Sequence, residues 1–171
     1  MKVLLINGSP NLKGCTYTAL SEVAGVLEDE NIETEIFQIG KKPIIGCTAC
    51  LWCREKGLNK CVFDDDPVNI GLEKAKEADG FIFGSPVHYA AASGGITSLL
   101  DRMFYSGGKY FQYKPGAAIV SCRRGGATAA LDQLGKYFTL SNMPVVASQY
   151  WNMVHGNNPE EVVQDKEGMQ T

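Results

Sequence analysis

The sequence predicts an α/β chain, a parallel sheet with helices on both faces. Three observations carry this. Short, nearly continuous apolar runs rich in β-branched residues suit strands buried on both sides. Segments with apolar positions at helical spacing alternate with those runs. The turns after the first, third and fourth runs are polar and rich in glycine and proline, the pattern of a ligand-bearing rim.

Taken in order, residues 2–6 form the first strand, and Gly8-Ser9-Pro10-Asn11-Leu12-Lys13-Gly14-Cys15 the turn after it. From Thr16 the positions Leu20, Val23, Ala24 and Leu27 recur at helical spacing, so a helix begins near Thr16. A second strand spans 33–39, and an irregular stretch over 40–63 holds clustered cysteines. Asp66 caps a helix with Pro67 in its first turn, running to about residue 77. The third strand, 79–84, leads through Ser85-Pro86-Val87-His88-Tyr89 into a helix over 94–105. The fourth, 117–121, is followed by Cys122-Arg123-Arg124-Gly125-Gly126 and a helix through Tyr137. The fifth strand is expected at 144–148, ahead of Tyr150 to Gly156. Residues 165–171 resemble the start of a final helix whose body is missing.

Length and composition bound the function. The 171 residues, 44% hydrophobic, make one ordinary domain, 1–171. A net charge of −3 leaves no basic footprint for nucleic acid. No apolar run approaches a bilayer span, and the N-terminus lacks the regions of a secretory signal, so a cytoplasmic protein without membrane partners is expected. Six cysteines, four of them between positions 47 and 61, look like ligands or reduced thiols rather than a disulfide framework.

The first turn has a chemical consequence. The leading amides of a helix lack internal partners and carry the positive end of its dipole, so a phosphate is the natural guest. Ser9, Thr16 and Thr18 offer hydroxyls, Gly8 and Gly14 allow close approach, and Lys13 adds charge. Neither G-x-x-x-x-G-K-[ST] nor G-x-G-x-x-G occurs in the turn, which disfavours nucleotide hydrolysis and a dinucleotide loop. The plainer alternative is a simple Gly-Ser-Pro turn with Thr16 as a helix cap.

Asn7-Gly8-Ser9-Pro10 with Gly14 and Thr16, then Gly84-Ser85-Pro86-Val87-His88-Tyr89, then Leu100-Asp101-Arg102, resemble the flavodoxin-fold NAD(P)H-dependent FMN reductase family over nearly the whole chain. The resemblance implies a three-layer sandwich around a five-stranded parallel sheet of order 2-1-3-4-5. It implies that Ser9, Asn11, Cys15, Thr16 and the backbone around Tyr17 hold the FMN phosphate. Pro86, Val87, His88 and Tyr89 would run along the isoalloxazine ring, and Ser121 to Gly126, with Arg124, Gly125 and Gly126, would meet its pyrimidine edge. The chain departs from the family at Asn11, where arginine is common, at Cys15, where asparagine is common, and at His88, where tyrosine is usual. Arg123 and Arg124 are alternatives as a contact to the reduced flavin, with exposed surface cations the plainer account. Asp101-Arg102 is expected as a structural pair near a helix end.

The second informative stretch is Cys47, Cys50, Cys53 and Cys61, a C-x2-C-x2-C-x7-C spacing. It resembles a ferredoxin-like run that wraps a [4Fe-4S] cluster and the iron-sulfur flavoprotein branch of the same family. A tetrahedral zinc and free, redox-labile thiols are the alternatives. Cys15 and Cys122 are expected as small apolar fillers, and His155 as a capping or packing residue.

The function implied is an FMN-dependent NAD(P)H oxidoreductase passing reducing equivalents to a flavin, quinone or similar small acceptor. The flavin carries the redox step, so no protein acid or base is needed. The alternatives are an iron-sulfur flavoprotein carrying single electrons between protein partners such as ferredoxin, and a flavin-binding regulatory module. A homodimer or homotetramer is expected.

Overall fold

The computed structural model describes residues 1–171. Strand β1 (Lys2–Asn7) runs parallel to β2 (Glu33–Gln38) on one side and to β3 (Gly80–His88) on the other. The short β4 (Ala91–Ala92) folds back antiparallel onto the end of β3. Strand β5 (Gly116–Cys122) pairs with β3, and β6 (Met153–His155) with β5, so the order is β2-β1-β3-β5-β6 with β4 off the path.

Alternation along the strands sorts the core into two faces. Leu4, Ile6, Phe81, Phe83, Ala118 and Val120 point to one side, and Val3, Leu5, Ile82, Ile119 and Val154 to the other, as a period of two requires. Helices α3 (Val68–Glu77), α4 (Gly94–Gly107) and α5 (Ala127–Leu140) cover the first face. There Phe83 stacks on Phe138 with ring centroids 4.9 Å apart. Helix α1 (Cys15–Asp29) and the short α6 (Pro159–Val162) cover the second, more thinly packed face. Asn31, at a positive φ of 59°, ends α1, and Ile32 N–H donates to Leu27 O at 2.9 Å.

The five parallel strands stand in the expected order, and the antiparallel β4 adds a sixth, because the chain after Gly84 stays extended to His88 and turns back through Tyr89 and Ala90, both at positive φ. Three expectations need correction. The last parallel strand is not 144–148. Only an isolated bridge joins Val145 to Gly116; the chain leaves the ladder and rejoins it at Met153. As an edge segment it has no second neighbour to hold it in register. Thr16 is not the helix cap: Gly14 occupies that position without a side-chain bond, and Thr16 lies buried inside the first turn. Nor does Arg102 pair with Asp101.

Arg102 is 1% exposed and pairs instead with the buried carboxylate of Asp66, while Asp101 accepts from Tyr137 Oη at 2.6 Å. Removing either member of the Arg102–Asp66 pair would strand the other, at a cost of about 3–5 kcal/mol. The irregular cysteine stretch contains one short helix, α2 (Trp52–Lys56). The segment 165–171 starts a helix as expected: Asp165 accepts from Gly168 N–H at the head of α7 (Lys166–Gln170). His155, which is exposed, is tied to the same carboxylate through its backbone N–H at 2.7 Å and its Nδ1 at 3.2 Å.

Candidate functional site

The loops after β1, β3 and β5 meet at one rim of the sheet because parallel strands all end on the same side. Gly8 N–H donates to Gly84 O at 2.8 Å, which joins the first two loops. This closeness needs glycine: a Cβ at Gly8 would stand 2.6 Å from the Ile96 side chain and 2.7 Å from Gly84 O. Ser93 Oγ donates to Gly8 O at 2.8 Å and accepts from Ile96 N–H, so it caps α4 and fastens that helix to the first loop. Ser93 N–H in turn donates to Ser85 Oγ at 2.9 Å.

The first loop wraps an anion-ready cradle. The amides of Cys15, Thr16 and Tyr17 precede the first helical bond, from Thr18 N–H to Gly14 O, and no side chain caps them. Ser9 N–H donates to Asn7 Oδ1 at 3.1 Å, and Ser9 Oγ accepts from Asn11 N–H at 3.1 Å. Thr16 Oγ1 and Ser121 Oγ share a hydrogen bond of 2.7 Å, which locks α1 to the end of β5. Pro10, Asn11, Lys13, Gly14 and Cys15 line an open cleft. A buried anchor would be costly without partners; here Gln38 Nε2 donates to Ser9 O at 2.6 Å and Gln38 Oε1 accepts from Asn7 Nδ2 at 2.5 Å.

The second and third loops stand opposite. Pro86 and Val87 are partly buried, whereas His88 and Tyr89 are exposed. Gly126, at a φ of +90°, packs against the β3–β4 turn so closely that a Cβ would lie 2.7 Å from Ala90 Cα. Ser121 is buried; Arg123, Arg124 and Gly125 are exposed.

Sequence reasoning missed Gln38, Lys41, Asn157 and Asn158, which line the same cleft. The signal for Asn157-Asn158-Pro159 was its place just beyond the last strand, and misplacing that strand hid it. Asn158 caps α6 by accepting from Glu161 N–H at 2.8 Å, while Cys15 Sγ donates to Gly156 O at 3.8 Å across the gap. Burial pushes the Cys15 thiol up, backed by the nearby Glu161 and Glu160 carboxylates, so it acts there as a neutral donor.

Cys47, Cys50, Cys53 and Cys61 all line a second cleft, walled by Phe63, Tyr105 and Arg102. Cys47 and Cys50 are exposed and the other two partly buried. Burial raises the Cys53 thiol, as do Cys61 and Cys50 beside it. No three of them converge closely enough to bind one ion. A single tetrahedral zinc would need that convergence, with sulfurs all about 2.3 Å from one centre. A [4Fe-4S] cluster would take one thiolate at each of its four irons, and the four cysteines that line the cleft supply that number.

A parallel sheet whose first, third and fifth strands end in an uncapped helix start, a proline-bearing turn and a glycine-rich loop defines a flavodoxin-like mononucleotide-binding protein. The profile of the NADPH-dependent FMN reductase family matches residues 1–158, and the chain belongs to that family. It is 34% identical over 179 residues to an iron-sulfur flavoprotein of Methanocaldococcus jannaschii, across 100% of this chain and 91% of that protein. An FMN reductase (NADPH) of Pseudomonas putida is 30% identical over 60% of this chain and 47% of its own length. Among solved structures, an NAD(P)H:quinone oxidoreductase from Methanothermobacter marburgensis superposes with a TM-score of 0.73, covering 99% of this chain and 92% of that one at 13% identity. The protein is therefore a flavodoxin-like oxidoreductase, with FMN and NADPH as the cofactors of its family. No helix is long and apolar enough to cross a membrane.

Proposed function

We propose that the protein binds FMN at this rim and uses it to move reducing equivalents from NAD(P)H to a flavin, quinone or similar small acceptor. The observation that carries this is the open start of α1, whose free amides face the cleft beside the Thr16–Ser121 bond. FMN, when bound, supplies the hydride chemistry. The chain's own part is to bind and orient. Ser9, Asn11, Cys15, Thr16 and Tyr17 hold the phosphate; Pro86 to Tyr89 flank one side of the ring; Ser121, Arg124, Gly125 and Gly126 meet its edge. Anaerobic stopped-flow mixing with NADPH and NADH tests this reading. Rapid loss of the oxidised flavin absorbance supports it, and no loss with either reductant overturns it.

The cysteine cleft favours a second reading, in which Cys47, Cys50, Cys53 and Cys61 hold a [4Fe-4S] cluster and the protein passes single electrons between partners such as ferredoxin. The likeness in sequence to an iron-sulfur flavoprotein supports it. Iron and sulfide content of anaerobically purified protein tests it: about four irons per chain supports the cluster, and a purely flavin spectrum without iron removes it. Assembly as a homodimer or homotetramer belongs to the same proposal, with sedimentation as its test.

A further inference from the structure

Arg102 is the largest fully buried side chain in the molecule, and it lies beneath the cysteine cleft rather than in the flavin site. Each of its three guanidinium nitrogens has a partner. Nε donates to Cys61 Sγ at 3.2 Å, Nη2 to Phe63 O at 3.0 Å, and Nη1 to Ile45 O at 3.1 Å and to Asp66. Ile45 lies two residues before Cys47, and Phe63 two residues after Cys61. One side chain therefore grips both ends of the segment that carries all four thiols.

We propose that Arg102 is a positioning residue for the iron-sulfur cluster: it closes the cysteine segment around the cleft and, through its N–H bond to the Cys61 sulfur, sets the cluster's reduction potential. The inference rests on the cluster reading given above. A planar guanidinium suits the task because its donors leave in fixed directions, which an ammonium cannot reproduce. A donor to a ligating sulfur withdraws electron density and favours the reduced cluster, and outer partners of this kind are worth roughly 10–100-fold in metal affinity. Asp66 completes the design by balancing the buried charge, and its other oxygen accepts from Val68 N–H at 3.1 Å at the head of α3. Removing Arg102 leaves Asp66 as an unbalanced negative charge beside the cluster, whereas neutralising Asp66 leaves an unbalanced positive one. The two changes act on the potential with opposite sign, which a purely structural role does not predict.

The experiment compares full-length wild type, Arg102→Lys, Arg102→Gln and Asp66→Asn, each reconstituted anaerobically with iron and sulfide. Bound FMN serves as the folding control, because its site lies elsewhere. The expected result is a loss of iron and sulfide in both Arg102 variants. Any residual cluster should titrate at a more negative midpoint potential than wild type, and that of Asp66→Asn at a more positive one. Wild-type iron content and unchanged potentials in flavin-loaded variants overturn the inference alone. Wild type that takes up no iron overturns the cluster reading and the inference with it. Should the Arg102 proteins fail to fold, Asp66→Asn decides: a positive shift supports the proposal, and an unchanged or negative one overturns it.

Discussion

Thr16 Oγ1 lies 2.7 Å from Ser121 Oγ, a bond between residues 105 positions apart in sequence. Both side chains are buried, so each hydroxyl answers the other's need for a partner, and α1 is held to the end of β5 at the lip of the cleft. Thr16→Val keeps the shape and removes the bond, leaving the Ser121 hydroxyl without its partner. The expected loss is about 1–3 kcal/mol of stability, seen as a fall of the melting temperature by several degrees, about 2–4 °C per kcal/mol. FMN affinity, read by quenching of flavin fluorescence, should weaken by about tenfold for each 1.4 kcal/mol lost at the site.

A methyl group at Gly8 has nowhere to go, because Ile96 and the Gly84 carbonyl already stand within 2.7 Å of the Cβ position. Gly8→Ala should destabilise the protein by about 1–3 kcal/mol in urea unfolding through overpacking. Gly135→Ala is the matched control. That glycine lies inside α5 with nothing within 4 Å of its Cβ position, so alanine there should stabilise by about 0.5–1 kcal/mol. Equal effects at the two positions would contradict the close approach of the first two loops.

Lys13 and Lys41 both line the cradle. If the phosphate lodges between them, Lys41→Ala should weaken FMN binding by a few-fold at low salt and less at high salt, since exposed charges are screened. Riboflavin, which has no phosphate, should bind the variant and wild type equally in the same titration. An equal loss for both ligands would move the phosphate away from Lys41.

Glu35 lies between two lysines, 2.9 Å from Lys2 Nζ and in contact with Lys74 Nζ. The Lys74 bond, helped by Lys2 and opposed by partial burial, holds its carboxyl below the usual carboxylate range. A depressed folded value means the stabilisation is fully present above the unfolded value and disappears as pH falls through the folded one. Urea midpoints should therefore drop as the pH is taken below the ordinary glutamate range. Glu35→Gln should flatten part of that slope and lower stability at neutral pH by on the order of 1 kcal/mol. An unchanged acid slope in the variant would show that other carboxylates carry it.

The class of fold, the rim on which the loops meet and the family can be read from the letters alone. Strands β1, β3 and β5 announce themselves because strands buried on both faces must be apolar at nearly every position. The glycines and prolines of the turns are legible for a related reason, since few other residues tolerate such backbone. The tight fit of Gly8 under Ile96 is a consequence of that rule, visible in the letters only as a Gly-Ser-Pro turn.

The course of the edge strand and the partners of Thr16 and Arg102 come instead from long-range packing. An edge strand has a single neighbour, so Val145 and Val146 can look like a strand and still leave the sheet while Met153 completes it. A threonine at a helix start is a cap by local chemistry until a partner 105 residues away claims its hydroxyl. Arg102 follows Asp101 in the chain, and adjacency suggested a pair. Consecutive helical residues point in different directions, however, and the guanidinium turned inward to Asp66 and Cys61. Hydrophobic periodicity is a property of neighbours along the chain, whereas a buried polar group must find whatever partner folding brings to it, and that partner is set by the packing of the whole molecule.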